Sequence, residues 1–320
     1  MSFTFAPAAS FTERAGLFVS LTGGTNSGKT YSAMRLARGI AGPEGKIAVL
    51  DTEGGRTLHL KDAFAFDANV MDAPFRPERF SQAAQAAEQA GYAALVIDSF
   101  SMEWVGMGGV LDWQAAEHKR LGGSDAKKGQ SWIAPKMAHK AMVYALLQRR
   151  IPIIFSIRGE ETFIPPNTKI FKSITNRMFP FEVTVSFRLE SERKGYLDLS
   201  DPKSWKMEGA HQEIFRHGDR LSEEHGARLA AWARGERVAP TEEKSVAAPA
   251  PAAAAMTKRE LFAAARAAAA KGQDAFDEWV NPLPETAYDS LGQIWNELQG
   301  LIAKADEGFP GDTPANERAA

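Results

Sequence analysis

Eight residues near the start, Gly23-Gly24-Thr25-Asn26-Ser27-Gly28-Lys29-Thr30, limit the folds open to this chain more than any other stretch. They follow the spacing G-x-x-x-x-G-K-[ST]. Glycine lets the backbone curl until successive N–H groups converge on one anion. Lys29 then reaches the β and γ phosphates of a nucleotide, and Thr30 offers a hydroxyl to Mg²⁺. Such a loop needs a strand before it and a helix after it, because the positive helix end completes the anion site. Leu17-Phe18-Val19-Ser20-Leu21 reads as a buried strand, and Tyr31 to Ile40 reads as a helix. The expected nucleotide contacts are therefore Gly23 to Thr30 together with Tyr31, with ATP and Mg²⁺ as ligands.

The pattern on either side is an alternation of strands and helices. Strands are predicted at 17–22, 46–51, 94–98, 151–156 and 181–189, and helices at 29–41, 77–90, 135–149 and 222–234. Leu95-Val96-Ile97 and Ile151 to Phe155 are near-continuous apolar runs, as parallel strands covered on both faces require. Pro152 is tolerable because it falls at the start of its strand. Pro77 suits a helix first turn, and Gly91 closes that helix. The fold class is α/β, an open and mostly parallel sheet flanked by helices, with a small helical segment after it.

Four regions follow from composition. Residues 1–235 form the core. Residues 236–256 are rich in Ala and Pro and read as an extended linker. Residues 257–306 form a small helical domain, opened by the capping box Thr257-Lys258-Arg259-Glu260 and holding apolar residues such as Phe276, Trp279, Trp295 and Leu298. Residues 307–320 read as a disordered tail. The chain has 320 residues and no cysteine, which excludes disulfides, thiolate zinc sites and a cysteine nucleophile, and suits a reducing cytoplasm. No apolar run approaches the roughly 20 residues that span a bilayer, and residues 1–16 lack a basic-then-apolar signal pattern. A cytoplasmic protein with no membrane partner is the expectation.

The net charge of −2 hides an asymmetry. Lys119 to Lys194 holds 15 Lys and Arg against 6 Asp and Glu, whereas Thr257 to the end holds 6 against 11. A basic middle points to a polyanionic partner, or to a solvated face beside one bound nucleotide.

Hydrolysis needs a metal-orienting carboxylate and a base. Ala93-Ala94-Leu95-Val96-Ile97-Asp98 ends an apolar strand in an acid, so Asp98 joins Thr30 as a metal residue. The next residue is Ser99, so the base lies elsewhere. Lys46 to Glu53 is another apolar strand ending in acids, at the sheet end that lines a ligand crevice. Glu53 is the first candidate to polarise water and Glu103 the competitor, while Asp51 is expected to hold the loop in shape.

The order of GGTNSGKT, VLDTEGG, LVIDS and IIFSIR resembles the RecA-type ATPase core. More narrowly, with Asp98-Ser-Phe-Ser-Met-Glu-Trp and Gly108-Gly109-Val110-Leu111, it is similar to phage and prophage AAA-family ATPases of recombination type. The resemblance covers about residues 15–235. It implies that Glu53 is the base and that Ser156 occupies the position of a γ-phosphate sensor, although RecA itself has glutamine there. Arg158, two residues on, either donates to phosphate in its place or pairs with Glu160 or Glu161. The resemblance also implies a homo-oligomer with ATP at subunit interfaces, completed by a basic residue of a neighbour; Arg193, Lys194 and Lys172 are the candidates.

RecA-type cores bind single-stranded DNA through two loops, which correspond here to 118–134 and 159–180. The first carries Lys119, Arg120, Lys127, Lys128 and Trp132, and the second carries Lys169, Phe171, Lys172 and Arg177. Basic residues with aromatics beside them suit phosphate tracking and base stacking; the alternative is a solvated basic face with Trp132 and Phe171 in the core. Two functions follow. One is an ATP-driven protein of phage DNA recombination or annealing, with a protein partner for the C-terminal helices. The other is a nucleotide-dependent assembly switch with weak hydrolysis and no DNA. A small-molecule kinase fits less well, because no arginine-rich lid is evident.

Overall fold

Apolar strands separated by amphipathic helices are stable as a parallel sheet covered on both faces. The computed structural model of this protein describes residues 5–7, 16–164, 168–236, 258–280 and 290–306. The chain divides into two compact units, 1–240 and 241–320. In the first, β1 (Phe18–Gly23), β2 (Ile47–Asp51), β3 (Asp67–Val70), β4 (Ala94–Asp98), β5 (Ile153–Ile164), β6 (Thr168–Ser173), β7 (Val185–Leu189) and β8 (Leu197–Asp198) form one eight-stranded sheet. The order is β3-β2-β4-β5-β1-β7-β8, with β6 paired to β5 alone. Strands β3 to β7 along this path run parallel; β8 lies antiparallel to β7 and β6 antiparallel to β5.

The helices of this unit are α1 (Lys29–Ala41), α2 (Pro77–Gln89), α3 (Ser101–Val105), α4 (Val110–Arg120), α5 (Asp125–Ser131), α6 (Ile133–Leu147), α7 (Phe179–Glu182), α8 (Gly209–Gln212) and α9 (Glu223–Ala233). Successive strand residues alternate between two cores, as a period of two requires. Val19, Leu21 and Val96 pack with Met34 of α1 and Leu229 of α9. Phe18, Leu95 and Ile97 pack on the other side with Phe80 of α2 and Met142 of α6. Each such side chain contributes about 1.5–3 kcal/mol when fully buried.

Helices α1 and α9 cross without side-chain spacers. A Cβ on Gly39 would stand 1.9 Å from the carbonyl oxygen of Glu223, and one on Gly226 would stand 2.3 Å from that of Leu36. The Arg35 guanidinium bridges the same crossing, 2.6 Å from the Glu223 carboxylate. Gly39→Ala gains about 1 kcal/mol of helix propensity but drives a methyl into backbone. Net destabilisation of about 1–3 kcal/mol is expected. A urea titration that gave an unchanged midpoint would contradict this packing.

The sheet confirms the mostly parallel α/β class. The strand predicted at 181–189 begins only at Val185, because Phe179 to Glu182 make a helical turn. The strand predicted to stop at 156 runs on to Ile164 and turns back as β6. The second unit holds α10 (Lys258–Ala269), α11 (Gln273–Val280), a 3-10 turn at Gly292–Ile294 and α12 (Trp295–Asp306). Leu261, Ala265, Phe276, Leu291, Leu298 and Ile302 form its core. Of the helical domain expected at 257–306, residues 257 and 281–289 lie outside the described residues, as do 237–256 of the expected linker and the whole expected tail, 307–320. No helix among the described residues is long and apolar enough to cross a membrane.

Candidate nucleotide site

The glycine-rich segment leaves β1 at Gly23 and enters α1 at Lys29. Gly28 takes a left-handed conformation, φ 82°, which favours glycine. A Cβ there would also lie 2.9 Å from the backbone nitrogen of Gly195. That nitrogen donates to the Ser27 carbonyl at 2.9 Å, so the turn after β7 buttresses the loop. Ser27 points inward, its hydroxyl donating to the Gly24 carbonyl at 2.9 Å. No side chain caps the N-terminus of α1, which leaves first-turn N–H groups for an anion.

A cavity of about 600 Å³ opens over this segment. Every predicted nucleotide contact from Gly23 to Tyr31 lines it except Ser27. Tyr31 is half-exposed, with its ring edge-on to Phe64 at 5.2 Å. Lys29 Nζ donates to the Gly24 carbonyl at 2.6 Å. Burial pushes the Lys29 ammonium below the usual lysine value, and the Asp98 and Glu53 carboxylates pull it back.

Strand register aligns the acids. Asp51, Asp98 and Ser156 stand level across β2, β4 and β5. Thr30 Oγ1 donates to Asp98 Oδ2 at 2.6 Å. A hydroxyl beside a carboxylate is a hard-oxygen pair of the kind Mg²⁺ takes, so Thr30 and Asp98 fit the expected ion. Burial pushes the Asp98 carboxyl up, and the nearby hydroxyls of Ser156 and Thr30 oppose the shift. Ser156 is fully buried and does not line the cavity; its hydroxyl makes no hydrogen bond of good geometry although it lies close to Asp98.

Two residues beyond that level, Glu53 and Arg158 meet across the end of β4. Arg158 Nε and Nη2 both donate to Glu53 Oε1, at 2.9 and 2.7 Å. Arg56 Nη1 donates to the other carboxylate oxygen at 3.2 Å. Both Glu53 and Arg158 line the cavity. Arg158 therefore has an acidic partner, but it is Glu53, not the expected Glu160 or Glu161. Asp51 shapes the loop below: its carboxylate accepts from the N–H groups of Glu53, Gly55 and Thr57 and from the Thr57 hydroxyl. Glu103 is elsewhere. It is fully buried, bonded to His139 Nδ1 at 3.0 Å, and absent from the cavity wall, with its carboxyl pushed up by burial.

Lys194 lines the cavity of its own chain, as do Arg56 and His59. Sequence reasoning assigned Arg56 no role; the glycine-glycine turn before it was the available signal. Arg193 pairs with Glu190 at 2.7 Å and covers the Tyr196 ring.

The segments expected as DNA-binding loops, 118–134 and 159–180, are largely regular structure among their described residues. Lys119 and Arg120 end α4, Lys127 and Lys128 lie on α5, and Lys169 and Lys172 lie on β6. Arg120 pairs with Glu117 at 2.8 Å. Trp132 is half-buried, stacked on Trp104 at 6.4 Å with Lys136 over its ring. None of these residues lines the nucleotide cavity.

A family model described as AAA domain matches residues 15–195. No curated protein matches the chain at a significant level. Among solved structures, a KaiC-like protein from the hyperthermophilic archaeon Pyrococcus horikoshii is similar at 14% identity, over 56% of this chain and 74% of that one, with a TM-score of 0.31. The family match takes in more than half of the sequence, including the glycine-rich loop, Glu53, Asp98 and Arg158. The chain belongs to the AAA domain family, and its core is a mostly parallel α/β fold built around the glycine-rich phosphate-binding loop.

Proposed function

We propose that the protein binds ATP with Mg²⁺, hydrolyses it, and uses the cycle on single-stranded DNA in phage recombination, by annealing or strand exchange. The observation that carries the ATPase reading is convergence: Lys29, the Thr30–Asp98 pair and Glu53 face one cavity. In this reading the loop amides and Lys29 hold the phosphates, and Thr30 and Asp98 hold the ion. The bound ion neutralises phosphate charge and orients the reacting group. Glu53 polarises the attacking water. Arg158 senses the γ-phosphate by donating from beside Glu53, whereas Ser156, expected from the sequence as a sensor, is buried behind the cavity wall and acts only on Asp98. As in RecA-type proteins, the active form is a homo-oligomer with ATP between subunits, working in the host cytoplasm, and the acidic C-terminal helices dock a protein partner.

The DNA reading rests on the resemblance and on the basic segment from Lys119 to Lys194. A chain ending near Gly235 is expected to bind single-stranded DNA at least as well as the whole chain, because the acidic end repels phosphate. Replacing Lys119, Arg120, Lys127 and Lys128 by alanine is expected to weaken binding and flatten its salt dependence. Both are read by filter binding across a salt series. Loss on truncation with retention in the four-alanine variant would assign the DNA site to the helices after Thr257.

A second reading, a slow nucleotide-dependent assembly switch without DNA, is favoured by one observation. Both oxygens of Glu53 are engaged by arginines, so turnover requires that this clamp loosen.

A further inference from the structure

The turn between β7 and β8 folds onto the glycine-rich loop from the side. Gly195 is held from both directions: its N–H donates to the Ser27 carbonyl and its carbonyl accepts the Leu221 N–H, each at 2.9 Å. The Glu190 N–H closes the turn onto the Tyr196 carbonyl at 2.9 Å. Gly195 takes a left-handed conformation, φ 82°, and a Cβ there would stand 3.0 Å from Ser32 Oγ on α1. Glycine therefore lets the turn sit this close. Lys194, the residue before it, is carried to the loop by the same contact: its Cβ lies 3.4 Å from where a Cβ on Gly28 would be.

Four Lys and Arg side chains line the nucleotide cavity: Lys29, Arg56, Arg158 and Lys194. Arg56 and Arg158 both donate to Glu53, and Lys29 donates to the Gly24 carbonyl. Arg193, the neighbour of Lys194 in sequence, is engaged by Glu190 and the Tyr196 ring. Lys194 is exposed and makes no ion pair among the described residues. It is the cation of the wall left without a partner. The wall also holds three acids, Glu53, Asp98 and Glu160, and a polyphosphate among acids gains from every unpaired cation within reach.

We propose that Lys194 donates to the phosphates of the nucleotide bound by its own chain, so that the basic residue completing the site comes in cis and not from a neighbouring subunit. Such cations are supplied from either source in P-loop NTPases. Here the backbone decides the source. The bonds from Gly195 to Ser27 and Leu221 hold Lys194 beside the loop of the same chain without any neighbour. The inference rests on the reading of the protein as an ATPase, and it changes what assembly contributes, because this charge is present in the single chain.

Titration of a fluorescent ATP analogue with Mg²⁺ tests it, at full-chain concentrations that light scattering shows to span monomer and assembly. Lys194→Ala is expected to weaken binding about ten- to a hundredfold, the size expected for a hydrogen bond to a charged group, and by the same factor at every concentration. Lys194→Arg is expected to restore most of the loss. Because the side chain is exposed, both variants are expected to melt with the parent. Co-expressed Lys29→Ala and Lys194→Ala chains are expected to turn over ATP no faster than Lys194→Ala alone. Parent affinity in Lys194→Ala would overturn the inference and leave the ATPase reading standing. A loss confined to the assembled protein, or turnover restored by co-expression, would place the cation in a neighbour and overturn it. Equal loss in Lys194→Arg would make Lys194 a prop for the loop and not a phosphate ligand, and would overturn it too. Absence of binding by the parent would overturn both the inference and the ATPase reading.

Discussion

Lys29→Ala is expected to abolish ATP turnover, or to cut it by at least about 10²–10³-fold, and to leave the fold intact. The size follows from the general cost of removing one preorganised donor from developing phosphate charge. Here the loss is compounded. The Lys29 ammonium is the one cation of the loop, and it sits among Asp98, Glu53 and the Gly24 carbonyl. Without it, incoming phosphates face two carboxylates with less compensation. The fold is spared because Lys29 opens α1 and alanine is the best helix former. Phosphate release measures the first effect and a circular-dichroism melt the second. Turnover equal to the parent's would contradict the assignment of the cavity.

Glu53→Gln is expected to keep ATP affinity and lose about 10²–10⁴-fold in turnover. A base acts on water in the transition state and contributes little to ground-state binding. Glutamine keeps an acceptor for Arg158 at the same position but cannot take a proton. Glu103→Gln is the control. Glu103 is buried against His139 and lines no part of the cavity, so its loss is expected to lower the melting temperature with turnover spared. A fluorescent ATP analogue reports affinity alongside phosphate release. Loss of turnover in Glu103→Gln with full activity in Glu53→Gln would reverse the assignment.

What the sequence made legible was local. The helix at 29–41 was readable to the residue because the loop pattern fixes its start. The strand ends at Asp51 and Asp98 were readable because apolar runs stop abruptly at acids. Long-range pairing was not legible. Arg158 reaches Glu53 because β2 and β5 flank β4 in register, and no spacing along the chain encodes that neighbour relation. β3 was missed because Asp67 to Val70 is exposed throughout and lacks an apolar signature. The hairpin was missed because Glu160, Glu161 and Lys172 interrupt any apolar alternation, while its packing depends on the Phe171 ring lying over Gly159. Lys194 enters the nucleotide cavity through a turn at Gly195 that only the folded sheet brings beside Gly28.

The most direct measurement is steady-state phosphate release by the full chain with ATP and Mg²⁺, with and without single-stranded DNA. The expected result is turnover that depends on Lys29 and Glu53 and rises when DNA is added. Turnover unchanged by DNA would favour the assembly switch. Absence of phosphate release under both conditions, from a chain that is folded, would contradict the ATPase reading itself.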